Sequence, residues 1–252
     1  MKTNAFVAAT FGLATALSPA MTRAQTPVER YVEVRTVLGF RVSPAAAQSL
    51  VPAGWQPVQL AGPTQGVNLN VILTERVLRE TSDGKPIDGG RSRSVIFVVP
   101  AREAAGPGRG AMVALVLAPP PESVPGAYGV AVRSEIEMTR SRHFGAGGET
   151  GAETWSVVTN KDDRLEVEAK YTRATPVRQV MESKVYAGST GGYRIYQTDQ
   201  GVDVMRGIGV TDRVQSIVFR TSGPRFARIF DGSEQLVSVS AVPWHVRNVS
   251  DP

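Results

Sequence analysis

One short run holds most of the residues that could do chemistry. Arg133, Glu135 and Glu137 are spaced two apart, which on an extended strand puts all three on one face, while Val130, Val132, Ile136 and Met138 take the other. Arg140, Arg142 and His143 follow directly. A histidine or a carboxylate can carry a proton in hydration, dehydration or isomerisation, and His143 and Glu135 are residues of those types. Arg133 and Arg142 present planar guanidinium groups suited to a carboxylate or phosphate. If this polar face lines an interior, its charges must be paired or must serve a ligand, because unpaired buried charge is costly. If it faces water, it is an ordinary solvated face.

Other chemistries are excluded by count. The chain of 252 residues has no cysteine, which removes thiolate catalysis, disulfides and Cys-ligated metals. It has two histidines, His143 and His245, too few for a polyhistidine metal site, and no metal or other cofactor is expected. His245, near the C-terminus beside Trp244, is expected to matter little. Gly106-Pro-Gly-Arg-Gly110 looks like a phosphate cradle but leads into a strand-like run instead of a helix, so it reads as a hairpin loop. Gly188-Ser-Thr-Gly-Gly192 lacks the spacing of a nucleophile elbow. A formal charge of +5, falling to +3 without Lys2 and Arg23, does not argue for nucleic acid.

The elements that must position these residues are strands. Glycine and proline together make up about 17% of the chain, an excess that favours turns over long helices. Leu165, Val167, Ala169 and Tyr171 alternate with Glu166, Glu168, Lys170 and Thr172, and the turn 160–163 pairs this strand with Trp155–Thr159. Further strands are expected over Tyr31–Val42, Val67–Leu78, Ser94–Val99, Ala111–Leu117, Gly129–Met138, Tyr193–Gln197, Val202–Ile208, Val214–Arg220 and Leu236–Val242. The uniformly apolar runs Val95–Val99 and Met112–Leu117 predict strands covered on both faces. Ser43 as a cap and Pro44 at the first position predict a short helix that Pro52 stops, and a second turn is expected near Arg225–Phe230. The fold class is mainly β, one closed or partly open barrel with one or two short helices.

Residues 1–24 read as an export signal: Lys2, an apolar Ala5–Leu17 stretch too short to span a membrane, and small residues at Thr22 and Ala24 before a cut. The mature domain then covers 25–252, in the periplasm or outside a bacterial cell. No integral membrane segment is expected, and an oligomer is left open.

Tyr31–Thr36 followed by Ser43-Pro-Ala-Ala-Ala-Gln-Ser-Leu-Val-Pro-Ala-Gly-Trp55 resembles the opening of acetoacetate decarboxylase-like proteins. The Val67–Leu73 strand, the Arg164–Ala169 hairpin strand and the closing Gln235–Pro243 run fall in the order which that family shows. The resemblance implies a barrel with a central cavity, with Arg30 or Arg35 and Asn70 lining it and Arg133, Glu135, Arg142 and His143 nearest the reaction centre. Those decarboxylases use a lysine nucleophile whose pKa is lowered by its surroundings. Here no lysine occurs between Lys85 and Lys161, and an arginine forms no imine. The resemblance therefore implies a small-molecule-binding barrel for an organic acid, or for an apolar ligand with an acidic group, without Schiff-base decarboxylation. The alternative it implies is a lysine-independent lyase or isomerase of the hydratase or dehydratase type in the same cavity, with His143 or Glu135 as the catalytic proton carrier.

Overall fold

The computed structural model describes residues 25–87, 89, 91–119, 128–146, 148–159, 161 and 163–252; the expected leader lies outside them. Seven strands close into a ring: β1 (Thr26–Arg41), β3 (Leu69–Thr81), β4 (Ser92–Glu103), β5 (Arg109–Ala118), β9 (Val177–Ala187), β10 (Tyr193–Arg206) and β12 (Gln235–Asp251). β6 (Ala131–Gly145), β7 (Gly148–Thr159), β8 (Arg164–Arg173) and β11 (Val214–Ser222) form an antiparallel extension. It joins the ring through a parallel pairing of Val116–Ala118 with Ala131–Arg133. β2 (Trp55–Pro57) pairs with the last residues of β4, Ala101–Glu103, past the end of its pairing with β3.

This arrangement gives two interiors. The outer face of the ring packs against the extension, with Phe40, Phe97, Leu117 and Val239 meeting Trp155, Val167 and Phe219. Phe226 and Phe230, from a 3₁₀ turn at Phe226–Arg228 and the residues after it, close one side. The inner face forms a smaller cluster around Tyr31, Ile96, Val98, Val113, Val116 and Tyr196. β4 and β5 contribute to both, which is why their expected runs are apolar at every position.

Helix α1 (Pro44–Ser49) is capped as expected: the Ser43 hydroxyl accepts from the Ala46 N–H at 3.2 Å. Three features differ from the sequence reading. β9 was not expected, because Val177, Val180 and Met181 are exposed and its polar residues break the alternation. β10 runs unbroken through Gly201, where two strands were expected. A Cβ there would come within 2.3–2.6 Å of the Trp244 indole, so glycine lets that ring lie across the strand. β12 continues past Pro243 to Asp251, because the irregularity between the Glu33–His245 and Arg35–Val242 pairs accommodates a residue that cannot donate.

Candidate functional site

Tyr31, Glu33 and Arg35 share the inward face of β1, and pairing irregularities flank Glu33 on both sides. Such bulges re-aim side chains. Here Arg76 of β3 and His245 and Arg247 of β12 converge on the Glu33 carboxylate. Glu33 accepts from Arg76 Nε at 3.0 Å, Arg247 Nη2 at 3.1 Å and Arg35 Nε at 2.8 Å. Arg35 Nη2 donates to the same oxygen as its Nε. Arg247 lies between two aromatic faces, 4.3 Å from the Tyr31 ring centroid and 4.5 Å from that of Tyr196. The Tyr196 and Tyr128 hydroxyls hydrogen-bond each other, and Ser189 Oγ fixes Tyr128 by donating to its carbonyl at 2.7 Å.

The electrostatics follow from three guanidinium groups facing one buried carboxylate. Burial alone would raise the Glu33 carboxyl, but Arg247, Arg35 and Arg76 hold it well below the usual carboxylate range. Burial pulls Arg35 and Arg76 below the ordinary arginine value even against the attraction of Glu33. Burial, with Arg35 and Arg247 alongside and only Glu33 opposing among its charged neighbours, pushes the His245 imidazole down to about 2. The ring is therefore neutral, and its Nδ1 sits 3.7 Å from Glu33 Oε2, too far for a hydrogen bond. Among the described residues Tyr31 Oη, His245 Nδ1 and Arg247 Nε are buried without a hydrogen-bond partner. Buried polar atoms normally have partners, and of these residues His245 and Arg247 line a cavity in which a bound molecule can supply one.

Arg35, His245 and Arg247 border a cavity of about 210 Å³, of which Tyr31, Glu33 and Arg76 are not lining residues. Arg35, His245 and Arg247 form its charged end, and Tyr128 and Tyr196 also line it. Ile72, Ile96, Val98, Val113 and Val185 supply apolar walls. Ser183, Thr198 and Gln200 add polar groups, and aliphatic walls with placed polar groups are the usual composition of a small-molecule site. None of the lysines Lys85, Lys161, Lys170 and Lys184 lines it. Among the described residues no cluster of three or more histidine or acidic side chains could hold a metal, and no helix is long and apolar enough to cross a membrane.

Of the residues expected to build the site, only Arg35 is on this wall. Arg133, Glu135, Arg142 and His143 are exposed on β6, in the extension, so the polar face of that strand points to water and not into the ring. Arg142 faces Glu149 at 3.6 Å instead of a ligand. Arg30 is exposed and pairs with Glu80 at 2.9 Å. Asn70 is half-buried on β3 opposite Gly39 and Val98. His245, set aside from the sequence, is buried in the cavity wall beside Glu33. Glu33, Arg76, Tyr128, Tyr196 and Arg247 were also missed. Tyr31-x-Glu33-x-Arg35 and His245-x-Arg247-x-Val249 carry the two-residue period that would have found most of them.

No family model and no curated protein matches the chain. Solved structures do. The enduracididine biosynthesis enzyme MppR, in complex with pyruvate, aligns over 97% of both chains at 14% identity and a TM-score of 0.56. An acetoacetate decarboxylase-like enzyme from Sphingomonas wittichii RW1 covers 96% of this chain and 98% of its own at 12% identity, with a TM-score of 0.58. The acetoacetate decarboxylase of Legionella pneumophila covers 95% and 91% at 10% identity, with a TM-score of 0.50.

Proposed function

From a chain with the acetoacetate decarboxylase-like fold, we propose an exported small-molecule-binding barrel whose lumen takes a small organic acid and performs no Schiff-base decarboxylation. The observation that carries this reading is the convergence of Arg35, Arg76 and Arg247 on the single carboxylate of Glu33, with Arg35 and Arg247 presented at one end of a cavity that has aliphatic walls. A carboxylate ligand offsets the surplus positive charge and reaches the donors that lack partners, Arg247 Nε among them. Its apolar body lies along Ile72, Ile96, Val98 and Val113. The occurrence of a pyruvate complex in a neighbour of the same fold agrees with this class.

Mass spectrometry of the natively purified protein tests the proposal. The expected result is a non-covalently carried carboxylic acid; a neutral or cationic passenger would overturn it. Borohydride with acetoacetate should leave the intact mass unchanged, since only an amine forms the reducible imine. The same spectrum tests export, with an expected mature N-terminus near Gln25.

A second reading, a lysine-independent lyase or isomerase, draws on His245. Its imidazole stays neutral, and together with the Tyr128–Tyr196 hydroxyl pair on the same cavity wall it can hydrogen-bond the oxygen of an enolised substrate. If this reading holds, 2-oxo acids exchange their C3 protons with solvent deuterium in the presence of the protein, and His245→Gln abolishes the exchange. No catalysed exchange would leave the binder.

A further inference from the structure

The ring is joined least extensively where β5 meets β9. They pair only through Ala111–Val113 and Val185–Ala187. From Val177 to Lys184, β9 has β10 on one side and, among the described residues, no strand on the other. An unpaired edge invites another chain unless charges, proline or a bulge discourage it. This one is eight residues long, pairs with β10 in unbroken register and exposes apolar side chains: Val177 is 67%, Val180 70% and Met181 42% exposed. Met181 also lines the cavity, so the lumen wall is unfinished at this edge.

The charges on β9 select one occupant. Arg178, Val180 and Glu182 share the face away from the lumen. When the strand is laid antiparallel against a copy of itself, with a two-fold axis at Val180, Val180 meets Val180. Arg178 then meets Glu182 twice, once in each direction. Moving the axis to Met181 puts Arg178 opposite Lys184, and moving it to Gln179 puts Arg178 opposite Val180; both lose the charge match. Opposite charges across a strand pair favour it and like charges oppose it. Arg178 Nε and Nη2 donate to Asp199 at 2.9 and 2.7 Å, and the group retains further N–H donors for a second carboxylate.

We propose that the protein pairs with a second copy of itself through β9, in the register centred on Val180, and that the copy completes the cavity wall beside Met181. Gln179 of the second copy then lies opposite Met181 on the lumen-facing side. The pairing stands apart from the identity of the ligand.

Sedimentation velocity over a micromolar concentration series tests this with the full mature chain, melting temperature serving as the folding control. The wild type should dimerise. Arg178→Glu and Glu182→Arg should each weaken the dimer at least about tenfold, by placing like charges opposite one another. The double variant should recover to near the wild-type constant, a result expected only of this register. Val180→Pro, which removes an edge donor, should give a folded monomer. A wild type that stays monomeric, a dimer indifferent to both single reversals, or a double variant that fails to recover would each overturn the proposal.

Discussion

The two interiors of this molecule solve opposite problems. Between the ring and its extension, aromatic rings meet at short range, with Phe40 and Phe219 centroids 4.7 Å apart and Phe219 and Phe230 4.9 Å apart. Inside the ring, a carboxylate, three guanidinium groups and a neutral imidazole share a small volume, with polar atoms that lack partners. Apolar burial is favourable wherever shapes fit, whereas buried charge is tolerated only when it is compensated. The contrast places stability at the interface between ring and extension, and under the proposed function it places binding in the lumen.

Trp155→Ala strikes the apolar interior and should have the largest effect, a loss of about 3–5 kcal/mol in urea unfolding, while any folded fraction keeps ligand affinity. A loss of affinity without loss of stability would erase the contrast. Glu33→Gln strikes the lumen. It leaves three buried guanidinium groups without their carboxylate and should cost about 3 kcal/mol, yet it should tighten anion binding because the repelling charge has gone. Weaker anion binding in the folded variant would show that Glu33 itself contacts the ligand.

The pH dependence of stability sharpens the comparison further. The folded protein holds His245 near 2, while the unfolded chain protonates it near the ordinary value of 6.5. Below about pH 6.5 the unfolded state therefore binds a proton which the folded state refuses. Stability from this group, complete above that pH, should fall by up to about 1.4 kcal/mol per pH unit as the medium is acidified. Glu33 acts in the same direction but only below its ordinary value of 4.5, so the window between 6.5 and 4.5 belongs to His245. His245→Asn should flatten the profile there; an unchanged slope would mean the imidazole titrates normally. The smallest effect is expected of His143→Ala on the exposed β6, within about 0.5 kcal/mol in stability and with ligand affinity unchanged. A marked fall in affinity would move the binding site to the β6–β7 hairpin.

The apolar interior was readable from the sequence and the charged one was not. Leu165 to Tyr171 and Val95 to Val99 announce their strands because burial on one or both faces leaves a regular pattern. The lumen is built from segments where that pattern fails. Pro243 and Gly201 read as breakers, yet both sit at irregularities that turn His245 and Arg247 inward. β9 mixes exposed valines with charges because, among the described residues, no strand neighbours one of its edges before Val185. A charged alternation such as Glu33-x-Arg35 looks the same whether it faces water or a cavity, and only ring closure decides which. The face of Arg133, Glu135 and Glu137, which the sequence leaves open, is decided the same way: β6 leaves the ring after Arg133, so its polar face is solvated.

Isothermal titration calorimetry of a short-chain carboxylate such as hexanoate, against the wild type and Arg35→Met, tests the central claim most directly. Arg35 lies in the cavity wall and its aliphatic replacement keeps much of its packing. One carboxylate should bind per chain of the wild type. Arg35→Met should weaken it at least about tenfold, the loss of one charge-assisted contact, in a protein that stays folded at the titration temperature although its melting temperature falls with the loss of a Glu33 partner. Equal affinity in the two proteins, or no binding to the wild type by this or any other small carboxylate, would contradict the account.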